Sequence, residues 1–388
     1  MRWGSKPFAS LSLAGFLPLT TSILHKLLFF LTIFPAALCF AQTDSLFADG
    51  PYLNYGTDGK LKVEWAWPEN KTSGSAAWSD DLSEELPAFR TFRAETIDPA
   101  RTFTRDSQIA FKGVEKIAVV SDIHGQFDVL RRVLLSHGII DEDLHWAFGH
   151  GHFVVVGDIF DRGGQVTESL WLIHNLQLEA KAAGGRVHFL LGNHETMIMD
   201  RDVRYVNKRY MITSGLLGKP YYELYGPSAY LGRWLRSLPL TIRINDMVFV
   251  HGGFSKELLQ QVSGLKAINN LYHKYLIDSD LPEMPQEKAD QLNLLVGRDG
   301  PLWYRGYFLD RELEEKDINR ILKRVGGRRM VVGHTSFQAI RTFFDGKVLA
   351  VDSSMKFGSM GEVLLIENGH FVRGGLLGER IDLFAEGK

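Results

Sequence analysis

The sequence predicts an α/β fold, on three observations. From Lys116 onward, short β-branched or apolar runs alternate with amphipathic stretches of helical period. Each of five such runs stops directly before a polar motif containing glycine. The closing segments are separated by turn signals instead, as expected of an antiparallel finish.

Along the chain, residues 42–110 are polar and turn-rich. Within them, Thr57-Asp58-Gly59 lies between 52–55 and 61–67, and Leu61, Val63, Trp65 and Trp67 alternate with a period of two, which predicts a β-hairpin. Residues 70–83 read as a loop. The runs 117–120, 153–156, 187–191, 247–250 and 330–332 predict buried strands. Phe127, Leu130, Val133 and Leu134 share one helical face, as do Val166, Leu170, Ile173 and Leu176. Two inserts interrupt the pattern. Residues 196–240 are rich in Tyr, Arg and Leu, with a helix before Leu238-Pro239, and 256–295 are largely helical. Runs at 348–351, 363–366 and 371–372, the last two joined by Asn368-Gly369, complete the domain. The resulting division is a leader (1–41), an extension carrying the hairpin (42–110) and a main domain (111–388).

Composition narrows the class. With 45% hydrophobic and 23% charged residues over 388 positions, the chain has an ordinary globular balance and disorder is excluded as its expected state. A formal charge of −2 gives no bulk reason to bind nucleic acid or an anionic membrane, so an anionic ligand must be held locally. The leader carries Arg2, Lys6 and Lys26, no acid, an apolar run at 27–38 and Cys39-Phe40-Ala41, the layout of a secretory signal cleaved after Ala41. That run falls short of the roughly 20 residues of a membrane span, and a retained anchor using 11–24 as well is the alternative. Cleavage removes the one cysteine, which suits a periplasmic or secreted protein and leaves no thiolate to ligate metal. No stable membrane insertion is expected after signal removal.

The five motifs are Ser121-Asp122-Ile123-His124-Gly125, the run from Gly157 through Asp158, Asp161 and Arg162 to Gly163, Gly192-Asn193-His194-Glu195, Val250-His251-Gly252-Gly253 and Gly333-His334-Thr335. Without thiols, divalent metals take carboxylate, imidazole and amide oxygen, and Asp122, His124, Asp158, Asn193, His251 and His334 are enough for two ions. One carboxylate can bridge ions roughly 3.5 to 4 Å apart, and Asp158 is the natural bridge. Two divalent ions set against Asp122, Asp158 and a bridging hydroxide leave a positive site, to which Arg162 adds a planar fork matched to phosphate. An oxyanion is the expected guest. Any one motif arises by chance; five in this order, each after a strand, do not.

These residues resemble the metallophosphoesterases, and within them the phosphoprotein phosphatases, whose pattern is Gly-Asp-Xaa-His-Gly, Gly-Asp-Xaa-Xaa-Asp-Arg-Gly, Gly-Asn-His-Glu, His-Gly-Gly and Gly-His-Thr. The export signal, Gly50-Pro51-Tyr52, the run from Arg233 to Pro239 and Gly300-Pro301-Leu302-Trp303-Tyr304-Arg305 look most like the Shewanella-like phosphatases. The resemblance implies a four-layer αββα calcineurin-like sandwich hydrolysing phosphomonoesters by direct attack of a dimetal-bound hydroxide. It implies one metal on Asp122, His124 and Asp158 and a second on Asp158, Asn193, His251 and His334, the ions being manganese, iron or zinc. Arg162, Asn193 and Arg305 would hold phosphate; His194 would be the general acid, oriented by Asp161.

Three departures bear on substrate. Ser121 replaces the first glycine; Ser336 stands where phosphodiesterase branches place a second histidine; and 351–355 replaces the closing motif of eukaryotic Ser/Thr enzymes. The preferred substrate is a phosphoprotein or phosphopeptide. The alternative is a small phosphate compound such as a dinucleoside polyphosphate or nucleotide, for which Tyr205, Tyr210 or Tyr225 stacked over the metals would form a base pocket. A catalytically idle binding protein is the third reading, disfavoured by the complete ligand set.

Overall fold

A computed structural model describes residues 47–79, 86–277 and 286–384, so the predicted leader lies outside the described residues. Three antiparallel strands come first: β1 (Asp49–Tyr55), β2 (Leu61–Trp67) and β3 (Thr72–Ala77). The hairpin is thus extended by a third strand where the sequence predicts a loop. The Thr-Ser-Gly-Ser-Ala-Ala run of β3 has no large apolar side chain, and none of its residues is buried, so it carries no hydrophobic alternation to detect. It forms by pairing along β2, Trp65 opposite Gly74.

The main body begins with β4 (Ala110–Phe111), β5 (Lys116–Val120), α1 (Phe127–Ser136), β6 (His152–Val155), α2 (Val166–Ala182), β7 (Arg186–Phe189) and α3 (Asn193–Met199). Then come α4 (Lys208–Leu217), α5 (Tyr230–Ser237), β8 (Thr241–Ile244), β9 (Met247–Val250), α6 (Lys256–Gln261), α7 (Leu265–Tyr272) and α8 (Gln286–Val296). The chain closes with α9 (Gly306–Leu309), α10 (Glu315–Val325), β10 (Arg329–Val332), β11 (Arg341–Phe343), β12 (Val348–Ala350), β13 (Val363–Glu367), β14 (His370–Gly374) and β15 (Arg380–Asp382). The five predicted strands match β5, β6, β7, β9 and β10. The helix before Leu238 is α5.

Two six-stranded mixed sheets result, ordered β15-β14-β13-β5-β6-β7 and β11-β12-β10-β9-β8-β4. Each strand's alternation sends its two faces to different places. Ile117, Val119, Val154 and Val156 of the first sheet meet Ile242, Phe249, Val331 and Leu349 of the second, forming the core between sheets. Ala118, Val120, Phe153 and Val155 face outward onto Leu130, Val133, Leu170 and Ile173 of α1 and α2. Val248, Val250 and Met330 face the opposite way, in one cluster with Leu258, Ile268, Ile318 and Ile321 of α6, α7 and α10. The order helix, sheet, sheet, helix is therefore dictated by strands that must be covered twice. Within this arrangement β5, β6 and β7 run parallel, as do β9, β10 and β12, so both sheets present carboxyl ends of strands to loops. Among the described residues no helix is long and apolar enough to cross a membrane.

The extension is fastened to the body by a buried polar cluster. The Asp49 carboxylate accepts from Thr213 (2.5 Å), Thr167 (3.1 Å) and Tyr52 (3.1 Å), and Arg209 approaches Glu168 at 3.4 Å. Burial pushes the Glu168 carboxyl up to about 7, against the pull of Arg209 and with added repulsion from Asp49. This has a pH signature. Between 4.5, its ordinary value, and about 7, the unfolded chain gives up this proton while the folded chain keeps it, so stability falls as pH rises through that window and the full cost persists above it. We expect Glu168→Gln to raise the melting temperature at pH 8 relative to wild type and to do little at pH 4, a difference of about 2 to 3 kcal/mol. Thermal scans across pH 4 to 8 check this; a constant offset between the two proteins would contradict it.

Candidate dimetal phosphoesterase site

The motif loops converge because each continues a strand that ends on the same side. β5 delivers Asp122 and His124, β6 delivers Asp158 to Arg162, and β7 runs into α3, which begins at Asn193. From the second sheet, β9 delivers His251 and β10 delivers His334. The backbone there is held in the left-handed region at six non-glycine residues, Asp122, His124, Asp158, Asp161, Arg162 and His334. Such conformations cost on the order of 1 to 3 kcal/mol each and persist where surrounding structure enforces them. Close approach explains two of the glycines: a Cβ on Gly157 would sit 2.6 Å from the Gly192 Cα, and one on Gly192 would sit 2.2 Å from Asp158 Oδ1.

Asp158 is the hub. Its Oδ2 lies 3.2 Å from His251 Nε2, 3.6 Å from His124 Nε2 and 3.9 Å from His194 Nε2. Two donor groups meet there, His124 with Asp158 and His194, and Asp158 with His251 and His334, all buried. The imidazoles are aimed by their far nitrogens. His124 Nδ1 donates to the Phe160 carbonyl and His251 Nδ1 to the Val156 carbonyl, each at 2.7 Å, so both present Nε2 to the centre. Asn193 Oδ1 is 2.9 Å from His251 Nε2. Asp122 stands slightly apart: its Oδ2 accepts from Ser121 Oγ (2.6 Å) and the His334 amide (2.8 Å), while its Oδ1 is 3.9 Å from His124 Nε2.

Several observations test whether these residues fit metal ions. His334 Nε2 is buried and makes no hydrogen bond, an orphan acceptor of the kind a cation satisfies. Burial holds His124 at about 3 and His334 at about 2, so both rings are neutral, as ligands must be. Asp122 is raised well above the carboxylate range by burial and by the charges of Asp352 and Asp158, a repulsion that cations would relieve. For His251, burial favours the neutral ring, yet Asp158 overcomes it and lifts the ring to about 10; a metal would take that proton's place. The donor set is one of carboxylate and amide oxygens and imidazole nitrogens, without thiolate. The residues fit two ions.

Beside this hub, His194 and Asp161 form a buried pair in which His194 Nδ1 donates to Asp161 Oδ2. Burial opposes the charged ring, but Asp158 and Asp161 together raise His194 above its ordinary value. Arg305 reaches from the far side, donating to the His334 carbonyl at 2.6 Å and Thr335 Oγ1 at 3.1 Å. Arg162 is exposed, its guanidinium 5.5 Å from the Tyr205 ring centre. The ten predicted side chains thus lie around one centre, eight on loops and Asn193 and His194 in the first turn of α3. Tyr210 and Tyr225 do not join them: both are fully buried, with the Tyr210 hydroxyl bonded to the Val166 amide and Tyr225 packed edge-on against Phe160. Of the three aromatics named as candidates for a base pocket, Tyr205 alone is exposed, at 45%.

Sequence reasoning gave no role to Glu195 or Asp352. The buried Glu195 carboxylate accepts from the amides of Asp158 (2.8 Å), Ile159 (2.7 Å) and Gly192 (2.7 Å), tying the β6 and β7 loops together. Its place at the start of α3, three residues after Gly192, was the available signal. Asp352 is buried next to the site and accepts from Ser336 Oγ and, at 2.9 Å, from the Ser354 amide. Its position directly after β12 matches that of the other motif acids, but no neighbouring histidine or glycine marks it.

A carboxylate shared by two donor groups and ringed by three imidazoles, at the strand ends of two facing sheets, is the arrangement of a metal-dependent phosphoesterase. The calcineurin-like phosphoesterase profile matches residues 115–336, and the chain belongs to that family. It is similar to Shewanella-like protein phosphatase 2 of Arabidopsis thaliana, 27% identical over 69% of this chain and 78% of that one. It is 28% identical to Shewanella-like protein phosphatase 1 of Plasmodium berghei over 57% of this chain, a match spanning 61% of the relative's length. Among solved structures, the cold-active protein-tyrosine phosphatase of a psychrophilic Shewanella species is 38% identical, with a TM-score of 0.76, over 87% of this chain and 99% of that one.

Proposed function

We propose that this protein is a phosphoprotein phosphatase that hydrolyses phosphotyrosine, with activity on phosphoserine and phosphothreonine as well. The observation that carries the reading is the placement of the His194–Asp161 pair against Asp158, the carboxylate shared by both donor groups. Any leaving oxygen directed at His194 then departs from a phosphoryl group seated on the hub. When bound, two metal ions supply an activated water and positive charge against the phosphoryl oxygens. The chain's own contributions follow from position. Asp122, His124, Asp158, Asn193, His251 and His334 hold the ions; Arg162, Arg305 and Asn193 grip phosphate oxygens; and His194 gives its Nε2 proton to the leaving oxygen while Asp161 keeps the ring charged. The protein tyrosine phosphatase named for the Shewanella structure supports the choice of substrate. So does the burial of Tyr210 and Tyr225, which keeps both rings from stacking on a nucleobase at the site. The predicted leader adds export to the periplasm or medium, tested by cell fractionation.

Parallel assays on a phosphotyrosine peptide, its phosphoserine counterpart and diadenosine tetraphosphate test the reading. We expect the peptides to be hydrolysed with kcat/KM at least tenfold above the dinucleotide, and removal of metal with a chelator to abolish both activities reversibly. Faster turnover of the dinucleotide would overturn the choice of substrate.

A further inference from the structure

Tyr205 is a large aromatic side chain, 45% exposed, beside the candidate site. Its ring centre is 5.5 Å from that of His194. The position is fixed from both sides: the Tyr205 carbonyl accepts from the Arg162 amide at 2.9 Å, and Asn207 Nδ2 donates to the Arg162 carbonyl at 2.8 Å. Asn207 is itself anchored as the cap of α4, accepting from the Arg209 amide at 3.0 Å. The guanidiniums of Arg162 and Arg204 lie 5.5 and 5.6 Å from the Tyr205 ring centre, and Arg204 is held by Asp202 at 2.6 Å. A segment whose backbone is held to the Arg162 loop thus carries one ring to the proposed proton donor.

We propose that Tyr205 is a specificity-determining residue that favours aryl over alkyl phosphate esters, and so phosphotyrosine over phosphoserine. The inference rests on the phosphatase reading above. A leaving oxygen within hydrogen-bonding reach of His194 Nε2 sits beside an imidazole whose ring centre is 5.5 Å from that of Tyr205, so the group bonded to it can lie against the Tyr205 ring. In phosphotyrosine those atoms are a flat ring that can lie offset or edge-on against Tyr205, a favourable arrangement for aromatic pairs. In phosphoserine one methylene occupies that space before the peptide backbone begins, and it offers little surface to the ring. Tyr205 acts here through its face and not through its hydroxyl.

The test compares wild type, Tyr205→Ala and Tyr205→Phe on phosphotyrosine and phosphoserine peptides of one sequence, with metal content measured for each protein. Tyr205→Ala is expected to lower the ratio of phosphotyrosine to phosphoserine kcat/KM about fivefold to tenfold, mainly through KM, while Tyr205→Phe keeps the ratio within about twofold. An unchanged ratio in Tyr205→Ala, including an equal loss on both peptides from a displaced Arg162, overturns this inference and leaves the phosphatase reading standing. Loss of the ratio in Tyr205→Phe would assign the effect to the hydroxyl and overturn it too. If wild type cleaves neither peptide, the phosphatase reading fails and takes this inference with it.

Discussion

Replacing His194 by alanine is expected to lower kcat on a phosphopeptide by about 100- to 10,000-fold, the range of a positioned general acid, while both metals stay bound. The structure makes this a discriminating experiment. His194 Nε2 lies 3.9 Å from Asp158 Oδ2, and the ring belongs to one of the two candidate donor groups. Its Nδ1 is committed to Asp161, so Nε2 is the atom that faces the centre. A proton donor and a metal ligand both need that atom, and they make different demands on metal content. If His194 serves as the acid, the alanine variant retains its ions and loses most of its turnover. Elemental analysis showing one ion missing would assign His194 to ligation instead. The leaving group supplies a second readout: an ester with an acidic phenol needs less protonation, so its hydrolysis should fall less than that of a phosphoserine peptide.

Asp158→Ala should remove metal and activity together. One oxygen of this carboxylate faces the imidazoles of His124, His194 and His251, and the other accepts the His194 amide at 3.0 Å. The buried carboxylate is held well below its usual range: burial works against the charge, and His251, His194 and His124 outweigh it. Deleting it leaves the histidines without the negative charge that gathers cations between the two donor groups. Expected values are loss of at least half the bound metal and a fall in kcat/KM of about 100-fold or more, larger than removing an outer-sphere partner. Full metal occupancy in a folded Asp158→Ala protein, with circular dichroism matching wild type, would falsify the bridging role. Asp158→Asn adds a check, since it keeps the shape and removes the charge.

The site was legible because strand-end chemistry is written locally. Five apolar runs of three to five residues, each followed by a glycine and a ligand type, identify both the strands and the loops, and β5, β6, β7, β9 and β10 fall on those runs. The features that escaped are those with no local signal. β3 consists of small and polar residues and exists only because β2 offers a partner. Glu195 closes its motif without a ligand role, and its carboxylate joins amides of two loops only in the folded chain. Asp352 lies 230 positions from Asp122 in the sequence, yet each feels the other's charge.

The amino-acid order alone pointed to the side chains with metal-ligand chemistry, to oxygen and nitrogen as the donors and to an oxyanion as the expected guest, because ligand preference and charge are properties of residue types. Folding decided the rest. It turned His124 and His251 so that Nε2 faces inward, buried Tyr210 and Tyr225, and left Tyr205 exposed beside His194. Those outcomes depend on distances between segments far apart in the chain, and such distances exist only once two sheets have closed over a shared core.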